Sequence, residues 1–142
     1  MKKFIKWFSI VLVALVVIVF IAGVLVFRMP LPDHDVDVSG LPLNDFVEII
    51  RDDRGVPHIY GSNVDDILFA QGYIHAQDRF WQLEFWSHLS TGRLASLIGE
   101  PGIGADLLFR TYGFNRVAQK EYEEMSEEMK NDLIQYTKGI NA

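Results

Sequence analysis

Residues 64–98 read VDDILFAQGYIHAQDRFWQLEFWSHLSTGRLASLI and decide the architecture of most of the chain. Apolar side chains recur along this stretch at helical spacing, in two stripes on neighbouring faces. The first stripe is Phe69, Tyr73, Ala76, Phe80 and Leu83, and the second is Ala70, Ile74, Trp81, Phe85 and Leu89. The spacing predicts a helical stretch from Val64 to Ile98 that is apolar over more than half of its circumference and needs partners on several sides.

Local signals set the limits of this helix. Asn63 is a suitable N-cap, and the two aspartates that follow Val64 suit the positive end of the helix dipole. Gly99 and Pro101 form a stop signal, and Gly92 predicts a kink or break inside the stretch, before Arg93.

The residues before the helix predict a β-hairpin. Val47 to Ile50 and Val56 to Tyr60 are rich in β-formers, and turn residues occupy positions 52–55. Pro57 fits only at a sheet edge or at the start of a strand, because proline cannot donate a ladder hydrogen bond.

The residues after the helix are a glycine-rich loop, Gly99 to Gly104, an apolar run, Leu107 to Phe109, and two acidic helical stretches, Asn115 to Glu124 and Glu127 to Asn141. Ser126 is the expected N-cap of the second stretch. The sequence ends within this last helical pattern, and we therefore expect the chain to be a fragment of a longer protein.

The N-terminal segment from Phe8 to Phe27 has twenty residues and no charge, enough for a helix to cross the roughly 30 Å hydrocarbon core of a membrane. Three lysines precede it and aspartates follow it, so the positive-inside rule predicts a single-pass signal anchor with a cytoplasmic N-terminus and an extracytoplasmic body. A cleaved signal peptide is the competing interpretation, although the apolar run is long and lacks a small-residue cleavage site. The third interpretation, a core helix of a soluble protein, is disfavoured because such a helix would normally carry a polar stripe.

The predicted fold class is therefore α+β: an N-terminal transmembrane helix, then a short β-hairpin and a mainly helical segment. Residues 1–28 form a cytoplasmic stub and the signal anchor, residues 29–45 a proline-rich extracytoplasmic linker, and residues 46–142 the folded part.

Charge and composition exclude several classes of function. The net charge is −6, and residues 29–142 alone carry nine basic and nineteen acidic groups. So acidic a body repels phosphate, which argues against a nucleic-acid partner. Cysteine is absent, which excludes disulfides, thiolate metal sites and a cysteine nucleophile.

The helix carries candidate chemical groups, each with a structural alternative. His75, Asp78 and Arg79 could form a metal or acid–base cluster, but an Asp–Arg ion pair with a hydrogen-bonded histidine explains the same residues. His88 follows Glu84 by four residues, which is not the Glu-x-x-His spacing of di-iron bundles.

Three further features favour structural explanations. His58 has no serine or cysteine nearby in sequence to activate and fits a hydrogen-bonding role at a strand end. The loop from Gly99 to Gly104 lacks the Gly-Lys-Ser/Thr ending of a phosphate-binding loop. Four aromatic residues at helical spacing could line an apolar pocket, but they are first a packing surface: Phe80, Trp81, Phe85 and Trp86.

The ordered sequence phrases of the body carry a resemblance. VEIIRDDRGVPHIYGSN at 47–63, the stretch from Ile67 to Glu100 and DLLFRTYGFNRVAQ at 106–119 closely resemble the start of the penicillin acylase family of N-terminal-nucleophile amidohydrolases. The likeness covers about residues 46–141. Its most specific phrases are Arg51-Asp52, Gly55-Val56-Pro57-His58-Ile59, Gly72-Tyr73, His75-Ala76-Gln77-Asp78-Arg79 and Gly92-Arg93-Leu94-Ala95.

The resemblance implies an exported precursor that cleaves itself into an α and a β chain within a four-layer αββα fold. The β chain would begin with a serine nucleophile whose own α-amino group acts as the base, and it would pack on residues 46–142. The implied substrates are small-molecule amides such as β-lactams or acyl-homoserine lactones. The nucleophile, the oxyanion donors and the carboxylates for a possible calcium ion would all lie beyond Ala142, so no catalytic, cofactor-binding or metal residue is assigned here and the chain alone is expected to be inactive.

Gly61-Ser62-Asn63 mimics the Gly-Ser cleavage point of such precursors, but a helix is predicted from Val64, where the nucleophile should open a strand. The alternative to the acylase interpretation is a noncatalytic, membrane-tethered helical module that binds a partner through its aromatic helix, or an inactive truncated product.

Overall fold

The computed structural model describes residues 2–29 and 37–142, which fall into two compact units, Met1–Asp37 and Val38–Ala142. The predicted linker at 29–45 lies across this division. Its residues 30–36, which include two of its prolines, lie outside the described residues.

The first unit is one helix, α1 (Lys2–Arg28). Its segment Lys6–Arg28 is long and apolar enough to cross a membrane, with a mean hydropathy of 3.5. A spanning helix satisfies its backbone hydrogen bonds internally, as the bilayer requires. A signal sequence meets the same criteria of length and composition, so the anchor stays a prediction.

The second unit begins with the predicted hairpin. Strand β1 (Glu48–Arg51) pairs antiparallel with β2 (Pro57–Tyr60), with Glu48 opposite Tyr60 and Arg51 opposite Pro57. Pro57 opens its strand, as its missing N–H demands. Gly55 closes the turn at φ +76°, a left-handed conformation that favours glycine.

The core lies where α2 (Val64–Ser90) crosses α6 (Glu127–Ile140). The two helices meet backbone to backbone at two buried glycines. A Cβ on Gly72 would lie 3.0 Å from the carbonyl carbon of Tyr136, and one on Gly139 would lie 2.8 Å from that of Phe69. Neither helix can therefore carry a larger residue at the crossing point.

Both predicted N-caps are confirmed. The side-chain oxygen of Asn63 accepts a hydrogen bond from the N–H of Asp66 at 2.9 Å, and Ser126 accepts one from the N–H of Met129 at 3.3 Å. Each cap satisfies one of the N–H groups that the first turn leaves without a helical partner.

The predicted helical stretch from Val64 to Ile98 is wrong at its C-terminal end, because α2 stops at Ser90 and a separate short helix, α3 (Ala95–Ile98), follows. The break predicted at Gly92 is confirmed: this residue has a φ of +66°. A buried carboxylate, Asp106, then accepts the N–H groups of Leu94 and Ala95 at 2.6 and 3.0 Å, and so starts a new helix.

The predicted glycine-rich loop is largely helical, and the apolar run that follows it lies within a helix. A single 3-10 turn, Glu100–Gly102, leads directly into α4 (Ile103–Tyr112), which contains the run Leu107 to Phe109. Gly113, at φ +74°, turns the chain into α5 (Phe114–Glu124). The second unit is thus mainly helical, with one two-stranded hairpin.

Candidate functional site

Arg51 joins the hairpin to α2. Its guanidinium donates two parallel hydrogen bonds to the carboxylate of Asp78, at 2.8 and 2.9 Å, and a third to Gln77 Oε1 at 3.2 Å. It also donates to the carbonyl oxygen of Gly55 at 3.2 Å. A two-pronged Arg–carboxylate pair fixes orientation as well as distance, so this contact sets the hairpin against the helix.

Within the predicted cluster of His75, Asp78 and Arg79, the expected ion pair between Asp78 and Arg79 is therefore wrong. Asp78 pairs with Arg51 instead. The backbone leaves helical geometry at Arg79, with φ −143° and ψ 30°, and its side chain donates to Gln82 at 3.3 Å. Neighbours in a helix point in different directions, which leaves Asp78 free to face the hairpin.

His75 joins α2 to α6 instead of completing a catalytic cluster. Its Nδ1 lies 2.8 Å from the hydroxyl of Tyr136, and the two rings meet edge to face with centroids 5.7 Å apart. The structural alternative, a histidine hydrogen-bonded against an aromatic ring, is what the geometry shows.

The other two histidines within residues 37–142 have local partners. His88 Nδ1 lies 2.9 Å from the carbonyl oxygen of Glu84 and 3.2 Å from its carboxylate. His58 Nε2 lies 3.7 Å from Asp52, whose own carboxylate caps the hairpin turn. The hydrogen bond from the N–H of Val56 holds the pKa of Asp52 below its ordinary value.

Within residues 2–29 and 37–142, no three His, Asp or Glu side chains converge as a metal site. The calcium ion that the resemblance implies stays an expectation about carboxylates elsewhere in the protein.

Two buried carboxylates, Asp66 and Asp106, each organise a helix start. The sequence indicated Asp66 only as a first-turn acidic residue that suits the helix dipole, and it did not indicate Asp106 at all. Asp66 is 2% exposed and Asp106 is 8% exposed. Burial raises the pKa of Asp66, but hydrogen bonds from Asn44, Asn63 and Asp45 together lower it more, and the net pKa is below the ordinary value. Its signal in the sequence was the three-residue spacing from Asn63, which is typical of a capping pair.

The glycine-rich segment has a packing role. A Cβ on Gly102 would lie 2.6 Å from the N atom of Ala95, so this glycine allows the 3-10 turn to rest on α3. That this segment is not a phosphate-binding loop stays a prediction.

Gly61-Ser62-Asn63, which mimics a cleavage point, leads into a helix. The hydroxyl of Ser62 donates to the carboxylate of Asp45 at 2.7 Å, and α2 begins at Val64 where a nucleophile would open a strand.

Three aromatic side chains in the C-terminal half of α2 remain mostly exposed in the part of the chain that the structure describes. Phe80, Trp81 and Trp86 remain 56%, 63% and 57% exposed, whereas Phe69 and Ile74 in the other half are 2% and 3% exposed. Further exposed apolar residues lie on α4 and α5: Ile103, Leu107, Leu108, Tyr112, Phe114 and Val117. We call these nine residues the apolar surface. So much exposed apolar area is typical of a surface that another polypeptide covers.

Residues 46–142 are similar to known proteins. Residues 46–142 match the family described as penicillin amidase. The chain is 38% identical over 96 residues to penicillin acylase 2 proenzyme from Pseudomonas sp. (strain SE83), and 34% identical over 105 residues to the acyl-homoserine lactone acylase QuiP of Pseudomonas aeruginosa. These matches cover 68% and 74% of this chain but only 12% of each relative.

A solved structure of a related protein has a similar fold over most of this chain. The thermostable penicillin G acylase from Alcaligenes faecalis superposes with a TM-score of 0.61 and 25% identity, over 68% of this chain and 51% of that one. The chain spans about an eighth of the length of the curated relatives it matches. It belongs to the penicillin amidase family.

Proposed function

We propose that residues 46–142 are the scaffold of an acylase that cleaves linear amide bonds in acylated small molecules. The support is the family match over these residues, together with relatives named as penicillin and acyl-homoserine lactone acylases. β-Lactam side-chain amides and acyl-homoserine lactones are the substrate classes that these names suggest.

The main support for a scaffold role is that polar residues in the motifs shared with the family make contacts that hold the fold together. Arg51 holds Asp78, His75 holds Tyr136, and Asp106 starts α3. A nucleophile, a base and oxyanion donors would then come from a part of the protein outside these 142 residues.

The apolar surface is the place where the rest of the acylase would pack. The relatives are about eight times longer than the matched segment, and one is named a proenzyme. A noncatalytic module that binds another partner through the same surface is the alternative, and it predicts no amide hydrolysis.

The experiment is an amidase assay on the protein that carries this N-terminus, isolated from its own membrane fraction. We expect release of free amine from a β-lactam side-chain amide or from an acyl-homoserine lactone. A Trp81→Ser variant tests the interface and is expected to lose activity through poor assembly. Absence of hydrolysis with both substrate classes would favour the noncatalytic module.

We further propose that Phe8 to Phe27 is retained as a membrane anchor with the acylase on the extracytoplasmic side. Its support is the uncharged length of α1 and the lysines that precede it. Extraction at alkaline pH tests it: an anchored protein stays with the lipid pellet, and a protein whose leader has been cleaved appears in the supernatant with a new N-terminus.

A further inference from the structure

The N-terminus of α2 receives an unusual partner, residues 38–46, which we call the strap. The carboxylate of Asp66 accepts hydrogen bonds from the main-chain N–H groups of Asn44 and Asp45, at 2.9 and 2.8 Å. It also accepts from the side-chain amides of Asn44 and Asn63, at 3.2 and 2.7 Å. Four donor groups thus converge on one buried anion.

The direction of these bonds departs from an ordinary capping box. In that motif the acidic residue at the third helical position returns to the backbone N–H of its own N-cap residue. Here Asp66 occupies that position, but its carboxylate accepts a hydrogen bond from the side chain of the N-cap residue Asn63. The same carboxylate also accepts hydrogen bonds from the main chain of the strap. The helix therefore uses its capping acid to hold an incoming segment.

A second contact runs in the opposite direction between the same two segments. The hydroxyl of Ser62, just before α2, donates to the carboxylate of Asp45 at 2.7 Å. The apolar contribution of the strap is modest, because Leu41 and Leu43 are only half-buried. Charge-assisted hydrogen bonds, rather than a core, hold this segment.

We propose that Asp66 is a latch: its negative charge holds the strap on α2, and loss of that charge releases residues 38–46 while the α2–α6 crossing stays folded. Fully extended, the nine released residues would span up to about 30 Å. The nearest other titratable group at the latch is Asp45, whose like charge opposes that of Asp66 and which is itself held by Ser62.

The test is amide hydrogen exchange on the full protein in detergent, with Asp66→Asn as the releasing variant. The neutral amide keeps one acceptor and turns donors toward the N–H groups of the strap. Asp65→Asn is the matched control, because it removes a charge from the same helical turn, and the carboxylate of Asp65 accepts a hydrogen bond from Asn131 on α6, at 2.9 Å, instead of from the strap.

We expect exchange at Asp45 and its strap neighbours to accelerate about 10- to 100-fold in Asp66→Asn, the range for lost hydrogen bonds to a charged group. Exchange in α6, and in α2 beyond its first turn, should stay unchanged. Unchanged strap exchange would overturn the latch, and so would equal acceleration throughout α2 and α6.

Asn44→Pro covers the case in which Asp66→Asn does not fold. It removes both Asn44 donors from the strap and leaves α2 intact. The same criteria then apply at Asp45: selective acceleration in the strap supports the latch, whereas wild-type exchange or global acceleration contradicts it.

Discussion

Gly72→Ala tests the helix crossing on which the fold depends. The added Cβ would lie 3.0 Å from the carbonyl carbon of Tyr136 and 3.1 Å from the N atom of Ile140, in closest contact with the Tyr136 carbonyl oxygen. These are backbone atoms of α6, so no side-chain rotation relieves the clash and the helices must separate. Overpacking costs about 1–3 kcal/mol, and a backbone clash belongs at the upper end. Alanine recovers about 1 kcal/mol of helix propensity. We therefore expect a net loss of about 2 kcal/mol.

The assay is urea unfolding in detergent at neutral pH, followed by far-ultraviolet circular dichroism. Gly104→Ala on α4 is the matched control: its Cβ meets nothing within 4 Å, and we expect a gain of about 0.5–1 kcal/mol. Gly139→Ala should resemble Gly72→Ala, and the double variant should lose less than the sum, since one separation relieves both clashes. A Gly72→Ala protein as stable as the wild type would refute the close crossing.

Three further results are expected. Arg51→Lys replaces the two-pronged contact with Asp78 by a single hydrogen bond and should lower the free energy that holds the hairpin on α2 by about 1–2 kcal/mol. The measurement is amide exchange in the hairpin, which should become faster; exchange unchanged from wild type would contradict the role of this pair. The folded-state pKa of Asp66 is below its unfolded value of about 3.9, so its contribution to stability is complete above that pH and is lost as pH falls through the folded pKa. Urea midpoints should therefore fall further between pH 7 and 2 in the wild type than in Asp66→Asn, which keeps the lowered pKa values of Asp45 and Asp52; an equal fall in both proteins would contradict the contribution of Asp66. Under the proposed function, the ring of Trp81 is buried against the rest of the acylase, so Trp81→Ser should lower the unfolding free energy of the assembled protein by about 2 kcal/mol. An unchanged thermal midpoint would exclude Trp81 from the interface.

The hairpin, the cap residues and the break at Gly92 were predictable because each rests on local physics. Asn63 and Ser126 cap within three residues, and Pro57 is confined to a sheet edge or the start of a strand, where it is found. The start of α3 was not predictable, because it depends on Asp106, a residue twelve positions beyond Leu94 whose carboxylate accepts the N–H of Leu94. Helical spacing continues past the break to Ile98, and only this tertiary contact shows that a separate helix begins there.

The candidate site shows the same division between local and long-range information. The sequence indicated that His75 and Asp78 have structural roles, but it could not name Tyr136 and Arg51 as their partners, which lie 61 and 27 residues away. The role of Gly72 was equally hidden, since a helical glycine reveals its purpose only when the facing backbone is known.

The most direct test of the scaffold proposal is the intact mass and N-terminal sequence of the mature protein that carries this N-terminus. The proposal predicts a larger precursor that resolves into two chains, the second beginning with serine and remaining bound to the first. A single species near 16.2 kDa, the mass of these 142 residues, would contradict it.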